Sequence, residues 1–155
     1  MSTESDLKAI QAQWVLGLVR SDDLPDIAAQ ALSTGTESKS LVELAGLNRS
    51  ETDEARRLFE QALSELGCEH MEKKDALKNY ARIVSTAMLE SKLTPLEGAE
   101  RIWQASRCSR LTDFHDLDAF IYAASELETR PEDKALFEEA ILQEASRWGR
   151  KCGNQ

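Results

Sequence analysis

The chain has 155 residues, 41% of them hydrophobic and 30% charged, which is typical of one globular domain with a single hydrophobic core. Its 28 Asp and Glu exceed its 19 Lys and Arg, so the formal net charge is −9. Nucleic acids and anionic membranes bind clusters of Lys and Arg, and this charge therefore disfavours both as partners and favours a cationic one.

Helical spacing of apolar residues begins close to the amino terminus. The first predicted helix covers residues 6–20 and has Trp14 on its apolar stripe. Asp22 or Asp23 is expected to cap a short second helix, which ends at Gly35 because glycine readily adopts the left-handed conformation that stops a helix.

Three further helices are predicted in the middle of the chain. A short apolar helix over residues 40–47 precedes a longer one, for which Ser50 is the predicted N-cap and Gly67 the end. The longest uninterrupted helical pattern covers residues 73–91. The stripe of the helix after Ser50 consists of Ala55, Leu58, Phe59, Ala62, Leu63 and Leu66.

The clearest helix start lies at residues 94–97. Thr94 is the expected N-cap, Pro95 occupies the first helical position, and Glu97 can accept a hydrogen bond from the Thr94 backbone N–H. This pattern predicts a helix that runs to about residue 107.

Two more helices complete the prediction. A polar break at residues 108–116 precedes one of them, and the last begins at Pro131 and ends at Gly149. No segment alternates apolar and polar residues in the manner of a strand. We therefore expect an all-α protein, an irregular compact bundle of seven to eight helices in a single domain over residues 1–155, with mobile tails at residues 1–5 and 150–155.

Targeting and redox features point to the cytoplasm. No apolar run reaches the roughly 18 residues that cross a bilayer, and the first eight residues do not resemble a secretory signal. Cys68, Cys108 and Cys152 are odd in number and widely spaced, so we expect free thiols rather than a disulfide framework.

Two constellations of histidine with other side chains are candidates for chemistry. Cys68 with His70, joined by Cys108 and His115, would offer zinc ligands, but their spacing matches no paired zinc motif. The second is His115 with its neighbouring aspartates, which could perform acid–base work or bind a cation. Those aspartates are Asp113, Asp116 and Asp118.

Each constellation also has a structural interpretation. Asp113 and Asp116 lie where the next helix should begin, and aspartate there is more often a helix cap. No nucleophile elbow, phosphate-binding glycine loop or zinc-protease motif is present, so we expect no catalytic residue, no metal and no cofactor. Trp14, Trp103 and Trp148 fall on apolar stripes and are expected in the core.

A helix-turn-helix regulator is a further alternative, because the helices at 40–47 and 50–66 are joined by a very short turn. The second of these helices would approach the phosphates. It carries five acidic and two basic residues, a net charge of −3, which disfavours binding to DNA.

Four segments together carry a resemblance to known proteins: Trp14 with Asp23-Leu24-Pro25, Leu41 with Leu44-Ala45-Gly46-Leu47, Leu58-Phe59-Glu60, and Thr94-Pro95-Leu96-Glu97-Gly98-Ala99 leading to Ile102-Trp103. In these segments the chain resembles a loosely defined family of small, acidic, all-helical bacterial proteins, most of which have no assigned activity. The resemblance implies a fold and a bacterial setting, and it carries no catalytic residue. By analogy, such proteins include immunity proteins, which bind and block a toxin.

The sequence thus predicts a non-enzymatic protein-binding domain, of immunity or inhibitor type, whose acidic surface blocks a basic partner such as a toxin. A small helical enzyme or metal-dependent module centred on His115 is the alternative. The oligomeric state stays open. Two acidic surfaces are candidates for the partner site: Glu51, Asp53, Glu54 and Glu60 on one helix, and Asp113, His115, Asp116 and Asp118 in the polar break.

Overall fold

A computed structural model describes the backbone of residues 3–68 and 70–153, and the side chains of residues 8–68 and 70–149. These residues form eight α-helices and two short 3-10 helices and contain no strand. The predicted all-α class and the number of helices are confirmed. The chain divides into two compact units, Met1–Glu72 and Lys73–Gln155, and the single-domain organisation stays a prediction.

The first unit is built from four α-helices around one apolar core. They are α1 (Thr3–Val15), α2 (Leu24–Ser33), which follows a 3-10 helix at Ser21–Asp23, α3 (Lys39–Ala45) and α4 (Thr52–Glu65). The Trp14 ring packs against a buried phenylalanine, Phe59, in an edge-to-face arrangement with 5.3 Å between centroids and 66° between planes. The core consists of Leu24, Ala28, Ala31, Leu41, Leu44, Ala55, Leu58, Phe59, Ala62 and Leu63.

The second unit is a four-helix arrangement in which each helix packs against the next and the last returns to the first. Its helices are α5 (Lys73–Leu89), α6 (Pro95–Ser109), α7 (Asp118–Thr129) and α8 (Lys134–Gly153), the last preceded by a 3-10 helix at Pro131–Asp133. Its largest buried side chains include Phe120, Leu77, Ile102, Leu117 and Ile141.

The predicted capping box at α6 is confirmed. Thr94 Oγ1 accepts a hydrogen bond from the Glu97 N–H at 3.1 Å, and Glu97 Oε1 accepts one from the Thr94 N–H at 3.0 Å. These two hydrogen bonds lower the pKa of the Glu97 carboxyl. They satisfy backbone donors that a helix start otherwise leaves without a partner.

Other predicted helix starts are wrong in detail. The N-cap of α4 is Glu51 rather than Ser50, and its side chain makes no capping hydrogen bond. Asp23 does occupy the predicted N-cap position of α2, which follows a 3-10 helix, but its side chain makes no capping hydrogen bond. The N-cap of α7 is Leu117, so neither aspartate expected to cap this helix, at positions 113 and 116, does so.

Two predicted helix ends also differ. α1 ends at Val15 instead of residue 20, and Gly17 then adopts a φ of 78°. α8 continues through Gly149, so this glycine does not end the helix. A Cβ at Gly149 would lie 3.1 Å from Leu89 Cδ1, which shows that α8 and α5 approach each other closely at this position. Of the predicted tails, residues 3–5 and 150–153 are helical, and residues 1, 2, 154 and 155 lie outside the described residues.

Glu65 joins the end of α4 to the start of α3. Its Oε1 accepts hydrogen bonds from Ser38 Oγ at 2.6 Å and from the Ser40 N–H at 3.2 Å. Its Oε2 accepts one from Ser40 Oγ at 2.7 Å. These three bonds favour the ionised carboxylate and lower the pKa of Glu65.

Replacing Glu65 by Gln is expected to destabilise the chain at about pH 7 and to reduce the loss of stability that occurs as the pH falls. A carboxyl whose pKa is lower in the folded state contributes stability above its unfolded pKa, and this contribution is lost as the pH falls through the folded pKa. Urea denaturation at about pH 7 and about pH 3 measures both effects. Glu37→Gln, an exposed carboxylate nearby, is the matched control. An equal loss in both variants would contradict the role assigned to Glu65.

The contact between α5 and α6 requires glycine at position 98. A Cβ at Gly98 would overlap the Met88 Sδ and lie 2.8 Å from its Cε. Met88 is buried, so its side chain has little room to move. The close approach of these two helices therefore depends on the missing side chain at position 98.

Gly98→Ala is expected to destabilise the chain by about 1–2 kcal/mol, because overpacking outweighs the higher helix propensity of alanine. In a Met88→Ala background, the same substitution is expected to be neutral or stabilising by up to about 1 kcal/mol. A double-mutant cycle measured by urea denaturation gives the coupling energy. An identical cost of Gly98→Ala in both backgrounds would rule out this contact as the cause.

Candidate functional site

The excess negative charge lies almost entirely in the first unit. Residues 1–72 contain 6 Lys and Arg and 14 Asp and Glu, a net charge of −8. Residues 73–155 contain 13 Lys and Arg and 14 Asp and Glu, a net charge of −1. An electrostatically attracted partner is therefore expected to approach the first unit.

Three of the four predicted acidic residues on α4 have local partners. Glu51 Oε2 accepts a hydrogen bond from the Asn48 N–H at 3.0 Å. Asp53 accepts one from Arg56 Nη2 at 2.7 Å. Glu54 forms two hydrogen bonds with Arg57, one of them at 3.0 Å from Nε, and this guanidinium lowers the pKa of the Glu54 carboxyl.

Glu60 is different from these three. The two arginines that could pair with it along the helix, Arg56 and Arg57, bind the carboxylates at positions 53 and 54 instead. Among the described residues, Glu60 forms no ion pair. Its exposed carboxylate is therefore the predicted acidic residue of α4 that keeps its charge uncompensated.

Glu60 borders an open cleft between α1, α4 and the segment that follows α4. The volume of this cleft is about 900 Å³. We call it the Trp14–Glu60 cleft, after the aromatic ring and the carboxylate that line it. Its lining residues are Gln11, Trp14, Val15, Glu60, Leu63, Ser64, Gly67, Cys68, His70 and Met71.

Gly67 turns the chain at the end of α4, and the residues that follow it line the third side of the cleft. It ends α4 as predicted, with a φ of 78°. The Gly67 N–H donates to the Ser64 carbonyl at 3.1 Å, and the Cys68 N–H donates to the Leu63 carbonyl at 2.8 Å. This left-handed turn satisfies carbonyls at the helix end and directs the chain so that His70 also lines the cleft.

A second, smaller cleft lies between α1 and α2, with a volume of about 400 Å³. It is lined by apolar side chains such as Ile10 and Ile27 and by uncharged polar ones such as Gln13 and Thr36. The described residues that line it are all uncharged, so they offer no charged group to a cationic partner.

The candidate zinc ligands fall into two places. Cys68 and His70 both line the Trp14–Glu60 cleft, whereas Cys108 and His115 belong to the second unit. In the described ranges, no three His, Cys, Asp or Glu side chains lie close enough together to hold a metal ion. The side chain of Cys152 is outside the described residues.

The second predicted acidic surface, in the polar break before α7, is an open loop. His115 Nδ1 lies 3.2 Å from Asp118 Oδ2, and these side chains are 71% and 62% exposed. Lys74 Nζ lies 3.7 Å from Asp113 Oδ2, and Asp116 is exposed. Water and salt screen exposed pairs of this kind, so the loop lacks the enclosure that would tune a catalytic histidine.

The ion pairs along α4 disfavour the helix-turn-helix alternative. The connection from α3 to α4 spans residues 46–51. The arginines that α4 could offer to phosphate are the same two, Arg56 and Arg57, that pair with carboxylates of their own helix. A duplex would therefore have to compete with these ion pairs and with the negative charge of the first unit.

The comparisons with protein-family models, with curated proteins and with solved structures found no match for this chain. None of the helices in the described part of the chain combines the length and the apolar character needed to span a membrane.

The sequence predicts Glu60 as a candidate partner residue, and no sequence pattern predicts the cleft beside it. Trp14 was expected in the core, but it is half-buried and lines the cleft. Trp103 is also half-buried, with the Arg107 guanidinium 5.1 Å from its ring centroid, whereas Trp148 is buried as expected. Gly67 is the sequence feature that could have indicated the cleft, because a glycine that ends α4 turns the following residues back beside its last turn.

Gly67→Ala is expected to destabilise the chain by about 1 kcal/mol, because alanine is strained at positive φ. Gly46→Ala is the matched control: it also follows a helix, but its φ is −90° and a Cβ there would make only ordinary contacts. We expect little or no cost for Gly46→Ala in urea denaturation. Equal costs for the two variants would show that the left-handed turn is not what position 67 requires.

Proposed function

We propose that the chain is a non-enzymatic protein-binding domain, an inhibitor of immunity type whose acidic first unit blocks a basic partner such as a toxin in the cytoplasm. The observation that carries the proposal is the uncompensated carboxylate of Glu60 beside a large cleft, in a unit whose net charge is −8. A charged group without a local partner is available for an intermolecular one.

The electrostatics support the same function. Toxins that act on nucleic acid have basic clefts, and an acidic protein can occupy such a cleft in place of the polyanion. Opposite charges speed the encounter of the two proteins, and salt screens this attraction. Fast, salt-sensitive association is therefore expected of the complex.

One observation favours a second candidate. The contact between His115 and Asp118 resembles the pairing of an imidazole with a carboxylate in an acid–base site. The exposure of both groups supports this candidate less well than a binding function. Metal analysis of the purified protein separates the two, because a stoichiometric metal bound at His115 would favour the alternative.

Affinity purification from the native host at low and high salt tests the function. We expect capture of a basic protein that is released as salt increases, and direct binding when both purified proteins are mixed. A toxin gene next to the gene for this chain would agree with the result. Failure to recover any basic partner that binds directly would count against the proposal.

Charge reversal then locates the site. Glu60→Lys is expected to weaken binding of the purified partner by about tenfold or more, because it removes an attraction and adds a repulsion. Glu128→Lys makes the same change of charge on an exposed residue of the second unit, and we expect less than about a twofold effect. Asp116→Lys tests the loop surface. A larger loss for Asp116→Lys than for Glu60→Lys would move the site to that loop.

A further inference from the structure

We propose that the Trp14–Glu60 cleft receives an arginine side chain of the basic partner. This inference rests on the proposed function and names the group that the partner presents. It combines three properties of the cleft: an uncompensated carboxylate, an aromatic ring and apolar walls.

The charge of the cleft favours a cation. Among the described residues that line it there is no Lys or Arg, and Glu60 is the carboxylate at its border. Ser64 and Gly67 line it at the carboxyl end of α4, where the aligned peptide dipoles leave partial negative charge. The carboxylate and the helix end therefore attract positive charge to the same place.

The aromatic ring favours arginine over lysine. Trp14 is half-buried, and its ring packs against Phe59 on the core side. A guanidinium is planar and weakly hydrated, so it stacks on indole more readily than an ammonium does. The aliphatic part of an arginine can pack along apolar walls such as Val15 and Leu63 while its head reaches a carboxylate.

Two arginines of the chain stack on aromatic rings elsewhere in the structure. The guanidinium of Arg107 lies over Trp103 at 5.1 Å from the ring centroid, and that of Arg130 lies over Phe137 at 5.5 Å. In the described part of the chain, no guanidinium lies over Trp14. Its cleft thus retains space for an arginine from another molecule.

A titration with a single amino acid derivative tests the chemistry without the partner. The probe is N-acetyl-L-arginine amide, added to the full-length ¹⁵N-labelled chain at low salt, where the attraction between charges is least screened. We expect a saturable shift of the Trp14 indole N–H with a dissociation constant in the millimolar range. N-acetyl-L-lysine amide should bind at least about threefold more weakly, and the uncharged norleucine analogue should not saturate.

Two variants make the assignment specific. Glu60→Gln is expected to weaken binding of the arginine probe by about fivefold, which is typical of the loss of an exposed ion pair. Glu128→Gln removes an equal charge from the second unit and should leave the affinity unchanged. The absence of a saturable shift at Trp14 would overturn the proposal. Equal binding of the arginine and norleucine probes would overturn it as well.

The inference and the function can fail separately. If the probe does not bind but a basic partner still depends on Glu60, the function stands and the arginine assignment is wrong. If the probe binds at Trp14 and no basic partner exists, the function is wrong, and the cleft is a cation site without the proposed partner.

Discussion

The amphipathic packing of α4 is the constraint on which the first unit depends. Phe59 and its apolar neighbours on one face of this helix enter the core, and the same periodicity leaves the charged residues on the other face. There, Asp53 with Arg56 and Glu54 with Arg57 lie three residues apart, so each pair closes along the helix surface. Glu60 lies one turn further on, after both arginines are engaged. Core formation and the position of the uncompensated charge thus have one origin.

The two ends of α4 extend this constraint to its neighbours. Glu65 holds the start of α3 through Ser38 and Ser40, and Gly67 turns the chain toward the cleft beside α1. The second unit differs from the first in its charge and in its packing. Its charges nearly balance, and its helices meet closely at positions such as Gly98. The proposed partner site therefore lies in the first unit.

Local signals predicted most of the fold and only part of the candidate site. Apolar stripes predicted the helices because burial requires a continuous face, and Thr94 predicted a helix start because it can pair with Glu97. The starts near Ser50 and Asp116 were wrong because each helix begins one residue later, after Glu51 and Leu117, and neither of these N-cap residues makes a side-chain capping hydrogen bond. The turn before the helix, rather than a capping side chain, sets these two starts. The cleft was missed because it depends on how α1 packs against α4, which no local pattern specifies.

Amide hydrogen exchange of the chain bound to its purified partner shows where the partner binds, because a bound surface exchanges more slowly whatever its chemistry. We expect new protection at the end of α1, in the second half of α4 and in the segment through Met71, which together line the Trp14–Glu60 cleft. The second unit should exchange as it does in the free chain. Protection confined to α7 and the loop around His115 would contradict a partner site in the Trp14–Glu60 cleft.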